Sequence, residues 1–181
     1  MKKIVSLILC IIFAFSFTAC GDDSGEKSNH SVDVEYYAKL GQINGLEYKL
    51  GGSVEDAKEL LNKTTDDHGE SNYFDYESGD YTVMTDGSVC VCYKTDDESA
   101  GITHIVKYGD AYGFTIGAVS TQLRDTMTNM GYTATEREAK KGELFFLPAG
   151  ASMTVLEYKI ENRTVLFVFQ EHALSAAVIS K

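Results

Sequence analysis

Two cysteines two residues apart, Cys90 and Cys92 in "SVCVCYK", are the first side chains with chemistry to offer. On an extended strand, residues i and i+2 project from one face with the backbone between them held open. That geometry is poor for a disulfide between the two. Two readings remain. Either they are thiolate ligands joined by His104 from a neighbouring strand, or they are small apolar side chains in a core, where free cysteine commonly lies. One CxC pair without a second favours the core, so no metal is expected. The four histidines, His30, His68, His104 and His172, are scattered. A site built from His68 with Asp66 or Asp67 is the nearest approach to a histidine–carboxylate pair. The acidic stretches "TTDDHGE" and "KTDDESAG" lack the alternating aspartates and glycine of a calcium loop and read as solvated connections. A nucleophile elbow, a zinc-peptidase helix, a phosphate loop and dinucleotide glycines are all absent from the sequence. The expectation is a protein with no cofactor and no catalytic residues. The competing class is a hydrolase or metal-dependent protein whose His, Asp and Glu residues converge from distant positions.

The remaining chemically distinctive cysteine stands near the N-terminus. Met1-Lys2-Lys3 is basic, residues 4–17 are apolar apart from Ser6 and Ser16, and Thr18-Ala19 precede Cys20. A basic start, a short apolar core and small residues at the cut make the layout of a secretory signal peptide. The apolar run is shorter than the ~20 residues a spanning helix needs. Phe17-Thr18-Ala19-Cys20 resembles the lipobox of bacterial lipoproteins, with Phe17 where leucine is usual. That resemblance implies cleavage before Cys20, a diacylglyceryl thioether on its sulfur and acylation of the new amino group. Residues 1–19 are then the signal peptide. Residues 20–31 are the acylated cysteine and a tether, because "GDDSGEKSNH" has no large apolar residue with which to offset ordering entropy. The expected location is the extracytoplasmic face of the cell membrane, held in the bilayer through Cys20.

Beyond the tether, 150 residues is ordinary single-domain size. The whole chain carries a net charge of −11. The acidity is uneven: residues 33–108 hold 16 acidic and 6 basic side chains, whereas residues 109–181 hold 8 and 7. Such a field repels phosphate backbones, so nucleic acid is not an expected partner. A basic protein or peptide suits it better, and solubility alone is the plainer explanation of the charge.

An internal repeat supplies the elements that must position these residues. "YKLGGSVEDAKELLNK" (residues 48–63) aligns without a gap on "FTIGAVSTQLRDTMTN" (residues 114–129). Each copy reads as an apolar pair, a glycine turn, a cap and a helix. Ser53 with Asp56 predicts an N-cap, and Val54, Ala57, Leu60 and Leu61 fall on one helical face. In the second copy, which starts at Val119 or Ser120, the stripe is Leu123, Met127 and Met130, closed by Gly131. Strands are predicted at "YFDY" (73–76), on both sides of Asp86-Gly87, and at "ITHIVKY" (102–108). The second half offers "ELFFL" (143–147), a hairpin about Glu161-Asn162 and "LSAAVIS". The expected fold is α+β: two tandem repeats, 32–108 and 109–181, each a helical segment followed by about four antiparallel strands. Together they form one long sheet with helices on one face.

On these motifs, from residue 38 onward, the chain resembles the β-lactamase-inhibitor-protein-like superfamily. That superfamily also holds the outer-membrane-assembly lipoproteins of the BamE (SmpA/OmlA) type. The resemblance is strongest to two-repeat lipoproteins of Gram-positive bacteria. It implies a non-catalytic, lipid-anchored module that engages an extracytoplasmic protein or peptide, as an inhibitor or as an envelope-assembly factor. Tyrosine suits such contacts, and the strand tyrosines Tyr73, Tyr76, Tyr81, Tyr93 and Tyr158 are the candidates, provided they cluster on an uncovered face.

Overall fold

Alternating apolar strands, turn glycines and capped helices combine in the computed structural model, which describes residues 33–139, 144 and 152–181. Among these residues the fold is α+β, one eight-stranded antiparallel sheet with three α-helices. The helices are α1 (Val34–Leu40), α2 (Val54–Asn62) and α3 (Ser120–Asn129). The first four strands are β1 (Phe74–Ser78), β2 (Tyr81–Thr85), β3 (Val89–Lys94) and β4 (His104–Tyr108). The last four are β5 (Thr135–Glu138), β6 (Met153–Ile160), β7 (Arg163–Gln170) and β8 (Ala173–Ser180). Their spatial order is β1-β2-β3-β4-β8-β7-β6-β5, so two meanders join along their final strands. At the junction Ile105 faces Ile179 and Val106 faces Val178.

Turn chemistry fixes the registers. Gly79 (φ +60°) makes the two-residue turn between β1 and β2, which sets Ser78 opposite Tyr81. Between β2 and β3, Asp86 Oδ1 accepts from the backbone N–H groups of Ser88 and Val89, both at 2.9 Å. Glu171 and His172 both adopt positive φ in the two-residue connection from β7 to β8, as a type I′ turn requires.

The strands alternate between two apolar clusters. One holds Val89, Val91, Ile105, Tyr158, Phe167 and Ile179 together with the buried residues of all three helices. The other holds Val83, Cys90, Cys92, Val106, Val155, Val168 and Val178, and no described helical residue. In α2, Ser53 Oγ accepts from Asp56 N–H at 3.2 Å, and Val54, Ala57 and Leu61 are buried. In α3, Leu123 and Met127 are buried, but Met130 is the C-cap residue beyond the helix and is exposed. Gly131 (φ +90°) ends it with Gly131 N–H to Thr128 O and Tyr132 N–H to Met127 O, both 2.9 Å.

Two elements differ from the sequence expectation. Helix α1 was not legible as a helix, since in seven residues it buries only Val34 and Ala38 before Gly41 stops it. The strand paired with β6 is β5 at residues 135–138, which the sequence did not suggest; the expected strand "ELFFL" lies outside the described residues except for Leu144, a buried member of the second cluster. β5 reads "TERE", whose charged side chains carry no apolar alternation, while "ELFFL" has the hydrophobicity of a strand.

Gly101 ties the entrance of α2 to the sheet. Gly51 N–H donates to Ile102 O (2.7 Å) and Ile102 N–H to Gly52 O (3.1 Å). Gly101 sits at φ +69°, and a Cβ there would lie 2.6 Å from Gly52 O and 2.9 Å from Gly51 O. Both obstacles are backbone, so Gly101→Ala is expected to cost about 2–4 kcal/mol, combining strain at positive φ with separation of the two segments. Urea unfolding checks this, and a loss under about 1 kcal/mol contradicts it.

Candidate functional site: an aromatic sheet face

The second cluster's face carries an aromatic group at the β1–β4 end. Register places Tyr76 opposite Val83 and His104 opposite Cys92, and alternation adds Phe74, Tyr81 and Tyr108 to the same side. Phe74 is 53 % exposed and stacks on Tyr76 with centroids 6.2 Å apart. Tyr81 meets the His104 ring edge-on at 5.1 Å, and His104 Nδ1 lies 3.0 Å from Thr103 Oγ1. Half-buried Tyr76 and Tyr108 pack at the border of the valine and cysteine cluster.

Burial sets the protonation of this face. It pushes the His104 pKa down to about 4, so the imidazole is neutral at pH 7. It raises the Cys90 and Cys92 thiols, which stay protonated and are therefore weak nucleophiles. Cys90 Sγ lies 3.4 Å from Thr85 Oγ1 and 3.7 Å from the Tyr108 hydroxyl. Thr85, the buried polar residue of this region, donates to Val89 O (2.6 Å) and accepts from Gly87 N–H (2.9 Å). Such a surface presents neutral rings and hydroxyls, suited to apolar and aromatic groups of a partner. Cys90, Cys92 and His104 do share this face, yet among the described residues no group of three or more His, Cys, Asp or Glu is arranged to hold a metal ion. In the acidic loop, Asp66 Oδ1 accepts from His68 N–H (2.8 Å) and Glu70 N–H (2.9 Å), closing the turn on itself.

The five tyrosines do not share one face. Tyr76 and Tyr81 belong to the aromatic group. Half-buried Tyr73 and Tyr93 pack on the helix-containing cluster, and the Tyr73 hydroxyl donates to Asp75 Oδ2 at 2.8 Å. Tyr158 is a correction: it is fully buried, with its ring edge-on to Phe167 at 6.0 Å, and cannot meet a partner. In β6, Tyr158 alternates with Leu156 and Ile160 against Glu157 and Lys159, and that alternation was the available signal that its ring faces the core. Phe74 and Tyr108 are site members that sequence reasoning missed. The i, i+2 spacing of Phe74 and Tyr76 was the available signal, but their joining with Tyr81 and His104 depends on strand pairing. Cys20 lies outside the described residues, and among those described no helix is long and apolar enough to cross a membrane. Neither a protein-family model, nor a curated protein, nor a solved structure matches this chain.

Proposed function

We propose that this protein is a lipid-anchored, non-catalytic module of the bacterial cell envelope, which uses its sheet to bind an extracytoplasmic protein or peptide. The observation that carries the binding role is the aromatic group of Tyr76, Tyr81, His104 and Tyr108 beside half-exposed Phe74. Buried, protonated thiols and a neutral histidine make that group better suited to recognition than to acid–base or nucleophilic work. The finer architectural reading is two copies of one unit, with the helices over one sheet face and the aromatic group on the other. The strand order β1-β2-β3-β4-β8-β7-β6-β5, alike from either edge, supports it. So does the absence of described helical residues from the second cluster. The anchor rests on Phe17-Thr18-Ala19-Cys20 and the polar stretch after it.

A photo-crosslinking residue at position 74 tests the binding role in intact envelopes. The expected result is a discrete protein adduct that weakens at least tenfold on Tyr81→Ala and is unchanged by Tyr36→Ala, an exposed tyrosine on α1. Insensitivity of the adduct to Tyr81→Ala sinks the face assignment.

A further inference from the structure

The outer edge of β1 has no neighbouring strand among the described residues. Ser78 and Tyr81 flank a two-residue turn and form a hydrogen-bonded pair, so alternation directs the backbone groups of Phe74, Tyr76 and Ser78 toward β2. The N–H and C=O groups of Asp75 and Glu77 therefore point outward. β1 ends the sheet, and no backbone hydrogen bond leaves it on that side among the described residues.

Charge selects the occupant. Residues 64–93 contain Asp66, Asp67, Glu70, Asp75, Glu77, Asp80 and Asp86 and not one lysine or arginine. Asp75 and Glu77 are exposed on one side of the edge, and Phe74 and Tyr76 lie on the other. A second copy pairing β1 with β1 would set these carboxylates against each other, which is unfavourable. The opposite edge, β5, is different. Its Glu136 pairs with Arg124 and its Arg137 with Glu157 (2.9 Å), so both signs of charge are already partnered there.

We propose that β1 binds an extended basic segment of a partner protein by strand addition, its Lys or Arg residues beside Asp75 and Glu77 and its alternate apolar residues over Phe74 and Tyr76. Main-chain hydrogen bonds to Asp75 and Glu77 supply the register, and the two-sided alternation supplies selectivity. The inference rests on the reading of this protein as a binding module and names the class and pose of its ligand.

Hydrogen exchange of the full chain tests it, with an alternating Lys-Val octapeptide as the probe. The expected result is slowed exchange confined to residues 74–78, weakened by salt. A peptide of the same composition with its lysines and valines in separate blocks is expected to bind at least tenfold more weakly. Glu77→Pro removes an outward N–H that no strand uses among the described residues, so the fold is expected to be retained and the protection lost. The pair Asp75→Lys with Glu77→Lys is expected to exchange preference to an alternating Glu-Val peptide, a readout that does not depend on the proline variant folding. Absence of saturable binding, or protection that survives Glu77→Pro in a folded protein, overturns the proposal. Protection around Tyr81 and His104 alone overturns the edge while leaving the face reading in place. An adduct at position 74 that ignores Tyr81→Ala removes the face reading and leaves the edge to the Glu77→Pro result.

Discussion

Phe167→Ala is expected to lower stability by about 3–5 kcal/mol, the range for emptying a fully buried aromatic site. Phe167 has no exposed surface, and three rings meet it edge-on: Tyr112 at 5.9 Å, Phe114 at 5.4 Å and Tyr158 at 6.0 Å. Its neighbour across the β7–β8 pair is Ala177, which cannot reach into the space left behind. The surrounding rings sit on a strand and on the segment before α3, so collapse into the cavity requires the backbone to move. The melting midpoint is expected to fall by roughly 10 °C, with Phe167→Leu losing less than half as much. Calorimetry or urea unfolding measures this. A loss below about 1 kcal/mol places the centre of the core elsewhere.

Cys20→Ala is the second large effect, and it is all-or-none. In a bacterial host the unmodified chain is expected to incorporate labelled palmitate and to partition with membranes, and the variant to do neither. Each buried methylene contributes about 0.8 kcal/mol, so two or three acyl chains hold a protein that a single chain releases. The variant's urea midpoint is expected to stay unchanged, because the modification acts on location and not on the core. A Cys20→Ala protein that still labels with palmitate refutes the anchor.

Both effects bear on the proposed role. In that proposed role, an acidic module on a polar tether would sample partners near the membrane surface, and attachment would raise their effective concentration without any new contact. The acidic run over residues 64–93 would then favour encounter with basic segments, an effect that salt would weaken. In the same proposal, the neutral aromatic group beside β1 would supply apolar contact once the encounter has occurred.

Much of the fold follows from local chemistry. Ser53 with Asp56, Gly131 after an apolar stripe, and Asp86-Gly87 between alternating residues each specify a cap or a turn within a few residues of themselves. Such signals are legible because the hydrogen bonds that satisfy them are local. The elements that sequence reasoning missed lack this property. Helix α1 buries two residues, and β5 is a charged edge whose pairing with β6 spans residues 135 to 157. Residues 143–147 have strand-like apolarity, yet Leu144 lies buried in the second cluster outside any strand.

The candidate site divides along the same line. The sequence by itself determined the residue types: an acidic first half, two thiols on one strand face, and tyrosines and phenylalanines at strand spacing. Only the tertiary structure decided their company. Strand pairing gathered Tyr76 and Tyr81 with His104 and put Tyr73 and Tyr93 on the other cluster. It also buried Tyr158 against Phe167. The physical reason is that a strand alternates its side chains with a period of two. Which alternate set faces a neighbouring aromatic or a helix is set by register across the sheet, through contacts tens of residues apart.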